Sequence, residues 1–414
     1  MRQLLLVAGL FCLTSCAEDT IVVPSFDESA FLSNTSPLSQ NARQLLEGVY
    51  TVETGAERFG SSVVLRSSGN YLSIFSGHNA GYFVLRTGSL DSVVFLEGYW
   101  RYQINTETGL ALFRIPWNAG GKRLLADSSD NTPITIRGSI GSGTSSPSIP
   151  IVLRYWRPIR PEILSRPFWI LAHRAGGRTS DYIPASENSV ELIRIAERFG
   201  ATGIEIDVRL TKDGVPVLYH DEFLNNRLTQ KAPLVGPVED YTLAQLKTFI
   251  RLIKGERIPT LREALETVLT ETTLRFVWLD SKTEDRSLLT VVRPIQQEFL
   301  QRAQVMGRQL EIVIGLPTEG VLNEFLTLSS SQTTPSVCEL SLDETRRANS
   351  TVWAPRWTLG TLDADAAAMH VEGRRAFVWT LDVQEFIQQF IERGTYDGIL
   401  TNYPMLVAYH HYVR

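Results

Sequence analysis

Between residues 45 and 156 short apolar runs alternate with polar turn clusters, and beyond Pro167 such runs alternate with helical stretches. Val49-Tyr50-Thr51-Val52, Ser62-Val63-Val64-Leu65, Tyr71-Leu72-Ser73-Ile74-Phe75, Gly81-Tyr82-Phe83-Val84-Leu85 and Val93-Val94-Phe95-Leu96 are rich in β-branched and aromatic residues. Clusters such as Ser67-Ser68-Gly69-Asn70 separate them at spacings of about ten residues, which predicts an all-β sandwich or small barrel. A Gly/Ser/Pro loop at 138–150 precedes one more strand at 151–156, and Pro158, Pro161 and Pro167 mark a domain boundary. Nothing in this part carries chemistry. His78 reads as a surface turn residue, and Trp100, Tyr102 and Trp117 as core rather than as a glycan- or lipid-binding face.

In the second part, 168–172 is a continuous apolar run, 188–199 has helical periodicity ending at Gly200, and 203–210 is a strand. Asp213-Gly214 turns into a strand at 215–219, and Thr242-x-x-Gln245 and Thr260-x-x-Glu263 are capping boxes opening two helices. Further strands are expected at 275–279, 311–314, 376–379 and 397–400, and Asp382 with Glu385 is expected to cap a helix ending at Gly394. About 250 residues of such alternation is the usual size of a (β/α)8 barrel. A doubly wound open sheet has the same periodicity, so the pattern alone leaves closure open.

The N-terminus departs from this pattern. Met1-Arg2-Gln3 precedes an apolar run at 4–13, too short to span a bilayer, which reads as a secretory signal. Leu13-Thr14-Ser15-Cys16 resembles the processing box of bacterial lipoproteins, in which the Cys is lipidated; a plain signal peptide is the alternative. The expected organisation is a signal at 1–15, lipidated Cys16 with a flexible tether at 16–44, an all-β domain at 45–157, and at 163–414 a βα-alternating domain, a (β/α)8 TIM barrel or an open sheet by this pattern. With Cys12 removed and Cys16 lipidated, Cys338 stands alone, so neither an internal disulfide nor a Cys-based metal site is expected. The protein would be exported and lipid-anchored, in the periplasm or at the cell surface. A net charge of −5 without basic runs gives no field for nucleic acid.

The chemistry concentrates at strand ends. In Gly203-Ile204-Glu205-Ile206-Asp207-Val208-Arg209-Leu210 a period of two puts Glu205, Asp207 and Arg209 on one face. A parallel strand is covered on both faces, so two carboxylates there call for a compensating cation, and oxygen donors select a hard ion such as Ca²⁺ or Mg²⁺. Asp280 and Lys282 are likewise two apart at the end of another strand and would add a third carboxylate and an ammonium. His173 and His220 each follow an expected strand and could serve as acid and base, with Arg174 offering a fork to phosphate. His370, His410 and His411 have no such setting.

Leu171-Ala172-His173-Arg174-Ala175-Gly176-Gly177, Glu187-Asn188-Ser189, the stretch from Glu205 through Asp213-Gly214, and Val217-Leu218-Tyr219-His220-Asp221 together resemble the glycerophosphodiester phosphodiesterase family. Weaker echoes follow at Ile258-Pro259-Thr260-Leu261, Val378-Trp379-Thr380 and in the segment ending Asn402-Tyr403-Pro404. The resemblance implies a (β/α)8 barrel with one divalent ion on Glu205, Asp207 and Asp280, and with His173 and His220 as general acid and base. It places Arg174 and Lys282 on the phosphate, and Glu187 and Asn188 at the substrate mouth. The implied reaction is attack of the neighbouring glycerol hydroxyl on phosphorus, then hydrolysis of the cyclic intermediate, giving sn-glycerol 3-phosphate and an alcohol.

The chain departs from the family at three points. Asp280-Ser281-Lys282 replaces the usual Glu-x-Lys, His173-Arg174-Ala175-Gly176 replaces His-Arg-Gly with a longer loop before Glu187, and Asn402 replaces an acidic residue. The alternatives are a lysophospholipase D or sphingomyelinase-D-like enzyme, or a non-catalytic surface lipoprotein whose β-domain binds a glycan or protein.

Overall fold

The computed structural model describes Val23, Pro24, Phe26 and residues 32–414 apart from residues 106, 284 and 285. The signal segment and Cys16 therefore lie outside the described residues. No helix among the described residues is long and apolar enough to cross a membrane.

The N-terminal part is a closed, eight-stranded antiparallel barrel in which each strand pairs with the next in sequence. Gly48–Thr54 also pairs with Ile149–Arg157, closing the circle. The choice between sandwich and barrel is thus settled for the barrel. Its interior is packed by Tyr50, Leu65, Phe83, Trp100, Phe113 and Ile151, so it is a core rather than a ligand cavity. Trp100 and Tyr102 are buried as the sequence suggests, whereas Trp117 is exposed.

Packed structure begins earlier than the expected tether at 16–44 allows. Ser39 accepts from Ala42 N–H to cap the helix Gln40–Leu46, and Leu38, Ala42 and Leu46 repeat at a spacing of four and sink into the barrel core.

The second unit is a closed barrel of eight parallel strands. Trp169–Ala172 pairs with both Gly203–Leu210 and Gly398–Thr401, which closes the ring and excludes an open sheet. Pro216–Leu218 adds an antiparallel strand outside Gly203–Leu210. Leu171, Phe276, Trp278, Val313, Val337, Phe377 and Leu400 fill the interior. Ile204, Ile206 and Val208 face the surrounding helices. Both capping boxes form as expected, opening Leu243–Phe249 and Leu261–Glu271.

Three local readings are corrected. The expected helix at 188–199 is Val190–Ile195, capped by Ser189, followed by a 3-10 turn Ala196–Phe199. Asp382 does not cap Gln384–Arg393; its carboxylate instead accepts from Thr401 Oγ1, Asn402 N–H and Asn402 Nδ2, because the strand Gly398–Thr401 ends beside it. Strands Ser336–Cys338 and Val352–Trp353 were not anticipated, being too short to show a period.

The two barrels share one core. Val49, Val64, Phe75, Tyr82 and Val84 on the outside of the antiparallel barrel pack with Phe199, Ala408 and Tyr412 of the parallel one. Ser73 Oγ donates to Arg198 O at 2.8 Å, and the Arg198 guanidinium lies 3.6 Å from the Tyr71 ring centre.

Candidate active site

Parallel barrels leave their chemistry at the C-terminal ends of the strands, and the sequence-predicted residues collect there. Glu205 and Asp207 are in register with Trp278 and Asp280 on the neighbouring strand, which places all four on the inner face. Oxygens of Glu205, Asp207 and Asp280 lie within 4.8 Å of one another. That span suits oxygens each about 2.4 Å from a common hard cation.

The unpartnered atoms support the same fit. Glu205 Oε1 and Asp280 Oδ1 are buried without a hydrogen bond, and Asp207 Oδ1 has only an ion-pair contact, to Lys282 Nζ at 2.9 Å. Buried carboxylate oxygens without partners are costly, and a divalent ion would satisfy all three at once. Lys282 Nζ also bonds Asp280 Oδ2.

The electrostatics follow from this crowding. Burial and then the charges of Asp207 and Asp280 push the Glu205 carboxyl well above its ordinary range. Burial acts the same way on Asp207, but Lys282, His220 and Arg174 outweigh it and hold that carboxyl low. Lys282 is raised because Asp207 and Asp280 overcome its burial.

His173 follows the strand Trp169–Ala172. Its Nδ1 is 2.7 Å from Asn402 Oδ1, and its Nε2 is 3.7 Å from Glu205 Oε2. Asn402 Nδ2 donates to Asp382 at 2.6 Å, which fixes the amide with its oxygen toward the imidazole. Nδ1 therefore carries the proton and Nε2 presents a lone pair to the site. Burial and then Arg174 depress this imidazole to about 3.

His220 has a different partner. Its Nδ1 bonds Asp221 Oδ1 at 2.7 Å, and Asp221 is in turn held by Asn225 Nδ2 at 2.7 Å and by Arg227. Arg209 Nη2 donates to the His220 carbonyl at 3.1 Å while its Nη1 pairs with Glu239 at 2.8 Å, anchoring the backbone. Burial lowers the His220 pKa, with Asp207 opposing it.

The remaining predicted residues sit behind this cluster. Arg174 N–H donates to Glu205 Oε2 at 2.8 Å, and its Nη1 donates to Glu187 Oε1 at 2.7 Å. Glu187 also accepts from Thr179 N–H at 2.6 Å. Asn188 Nδ2 donates to Asp207 Oδ2 at 2.6 Å, and its Oδ1 accepts from Asp207 N–H at 3.0 Å. Glu187 and Asn188 are 3% and 2% exposed, so they brace Arg174 and Asp207 rather than line an open mouth.

Sequence reasoning missed Asp221, Asp382 and Glu339. Asp221 was visible as the neighbour of His220, and Asp382 was given a helix to cap. Glu339 follows the unanticipated strand Ser336–Cys338, and burial with Asp280 nearby raises its carboxyl.

The parallel-barrel unit is the part that known proteins match. The glycerophosphoryl diester phosphodiesterase family model matches residues 173–406, more than half of the chain. A glycerophosphodiester phosphodiesterase of Caldanaerobacter subterraneus subsp. tengcongensis is 26% identical over 256 residues, covering 57% of this chain and 94% of the relative. Human glycerophosphodiester phosphodiesterase 1 is 32% identical over 139 residues, covering 32% of this chain and 39% of its own length. A solved glycerophosphodiester phosphodiesterase from Parabacteroides distasonis is 24% identical with a TM-score of 0.45, covering 58% of this chain and 95% of that one. The antiparallel barrel lies outside the family match. The chain belongs to the glycerophosphoryl diester phosphodiesterase family, as a phosphodiester hydrolase.

Proposed function

We propose that the protein converts deacylated phospholipids to sn-glycerol 3-phosphate and a head-group alcohol, with His173 and His220 transferring the protons. The observation that carries this reading is the convergence of Glu205, Asp207 and Asp280 with unpartnered oxygens beside Lys282. Those three carboxylates would hold one divalent ion, Ca²⁺ or Mg²⁺. Such an ion supplies charge neutralisation to the phosphodiester oxygens.

The protein's own groups do the rest. His173, held by a neutral amide with the Nε2 lone pair directed inward, is suited to take the proton of the glycerol hydroxyl that attacks phosphorus. His220, whose imidazolium form gains a counter-charge from the Asp221 carboxylate, serves the second proton transfer, at the leaving alcohol. Lys282 stands beside the carboxylates as a cation for phosphate oxygens, and Arg174 shapes the site through Glu187 and Glu205.

We further propose export and anchoring through lipidated Cys16, on the strength of the 4–13 apolar run and the Leu13-Thr14-Ser15-Cys16 box. Multiple acyl chains on one residue give stable attachment where a single chain does not. Mass spectrometry of membrane-fractionated protein should find an acylated N-terminal Cys16, and an intact, unmodified N-terminus would reject the anchor. For the reaction, glycerophosphocholine or glycerophosphoethanolamine should yield sn-glycerol 3-phosphate with the purified protein. Turnover of neither would overturn the proposed substrate.

A further inference from the structure

The antiparallel barrel reaches the active-site face through Arg101 and Gln103. Arg101, on the strand Val93–Tyr102, is fully buried, and its Nη2 donates to Asp181 O at 2.9 Å while its Nη1 donates to Tyr182 O. Gln103 is 5% exposed, and its Nε2 donates to the same Asp181 carbonyl at 2.8 Å. Asp181 and Tyr182 belong to the long loop between His173 and Glu187, in the 3-10 turn Thr179–Asp181 and just past it. Carbonyls at the end of such a turn lack partners within it, and a cation there is favoured.

The loop they hold reaches the catalytic residues. The Asp181 carboxylate accepts from Arg178 N–H at 2.8 Å and from Arg178 Nε and Nη2 at 3.0 Å each, and Tyr403 Oη is 3.3 Å from it. Tyr403 follows Asn402, the partner of His173. Gly177, at φ +131°, brings the loop so close that a Cβ there would stand 3.2 Å from Asn402 O. Tyr182 adopts a left-handed conformation at φ 52° and is 46% exposed, and the Arg178 side chain is 38% exposed. A non-glycine residue keeps that conformation only when its surroundings impose it. Arg101 and Gln103 are those surroundings.

We propose that the antiparallel barrel is a positioning element of the active site: through Arg101 and Gln103 it fixes the 178–182 loop, and with it Arg178 and Tyr182 at the rim where the substrate head group enters. This rests on the hydrolase reading above and extends it to a unit outside the family match. Arg101 is a positioning residue, acting on binding rather than on the reacting atoms.

The test uses the full chain with Arg101→Met, Arg101→Lys and Gln103→Met, with Ser62→Ala as control. Ser62 bonds Tyr409 at 3.0 Å across the same interface, away from the loop. Two readouts are taken: KM and kcat for glycerophosphocholine and glycerophosphoethanolamine, and the rate of trypsin cleavage after Arg178 in the native protein. Arg101→Met should raise KM about tenfold or more with kcat within about threefold, and speed cleavage at Arg178 by a similar factor. Arg101→Lys, which keeps the charge but loses the fork, should fall between, and Ser62→Ala should change neither. Should Arg101→Met fail to fold, neutral Gln103→Met gives the same comparison with a smaller effect. Unchanged KM and unchanged cleavage would overturn the proposal, as would a loss of kcat and Tm with KM unmoved. If the wild type turns over neither substrate, the hydrolase reading fails while the cleavage rates still decide whether the barrel holds the loop.

Discussion

Asn188 grips Asp207 at both ends of its amide, donating from Nδ2 to Oδ2 at 2.6 Å and accepting the Asp207 N–H on Oδ1 at 3.0 Å. This aims Oδ1 of Asp207 at the position shared with Glu205 and Asp280. Asn188 has φ +59°, where glycine is at ease, so Asn188→Gly removes the amide without new backbone strain. Loss of such an orienting partner typically weakens metal affinity by about 10–100-fold. Calorimetric titration with Ca²⁺ or Mg²⁺ should show that drop, and unchanged affinity would mean that Asp207 is held by other groups.

The two histidines have unlike partners, an amide for His173 and a carboxylate for His220. Either His→Ala change should cost about 10²–10⁴-fold in kcat with the circular dichroism spectrum unchanged. Asp221→Asn removes the counter-charge of a protonated His220 and should lower kcat by about tenfold or more. Equal activity of Asp221→Asn and wild type would deny His220 the role of acid.

Stability should depend on His411 in mildly acidic solution. This ring stacks on Phe168 at 4.4 Å and accepts from Arg414 Nη2 on Nδ1 at 3.0 Å, an arrangement that needs a neutral imidazole. Burial, then Arg414, Arg66 and Arg166, depress it to about 3. The unfolded chain takes up this proton near pH 6.5 while the fold resists it down to about pH 3. The contribution is therefore intact above pH 6.5 and is lost progressively as pH falls toward 3. The Tm of His411→Phe should drop less than that of wild type between pH 7 and pH 5. Parallel Tm curves would place the neutral imidazole elsewhere in the linkage.

Much of this was legible along the chain where a period survives. The alternation at 203–210 showed which side chains share a face, and the capping boxes at Thr242 and Thr260 opened helices as read. Two things were not legible. Strands of two or three residues, such as Val352–Trp353, carry no period, so Glu339 beside one of them went unseen. Polar side chains were also read against their nearest sequence neighbours, although Asp382 serves Asn402 twenty residues on and Arg101 holds a carbonyl eighty residues away. Such partners are decided by barrel closure and by docking of the two units, which local patterning does not encode.

The central claim is that Glu205, Asp207 and Asp280 form one cation site on which turnover depends. The direct measurement is release of sn-glycerol 3-phosphate from glycerophosphocholine by the wild type and by Glu205→Gln, in excess EDTA and then with Ca²⁺ or Mg²⁺ restored. Wild-type turnover should vanish in EDTA and return with one of the ions, while Glu205→Gln stays inactive at an ion concentration that saturates the wild type. Full turnover in EDTA, or full recovery by Glu205→Gln, would contradict the account.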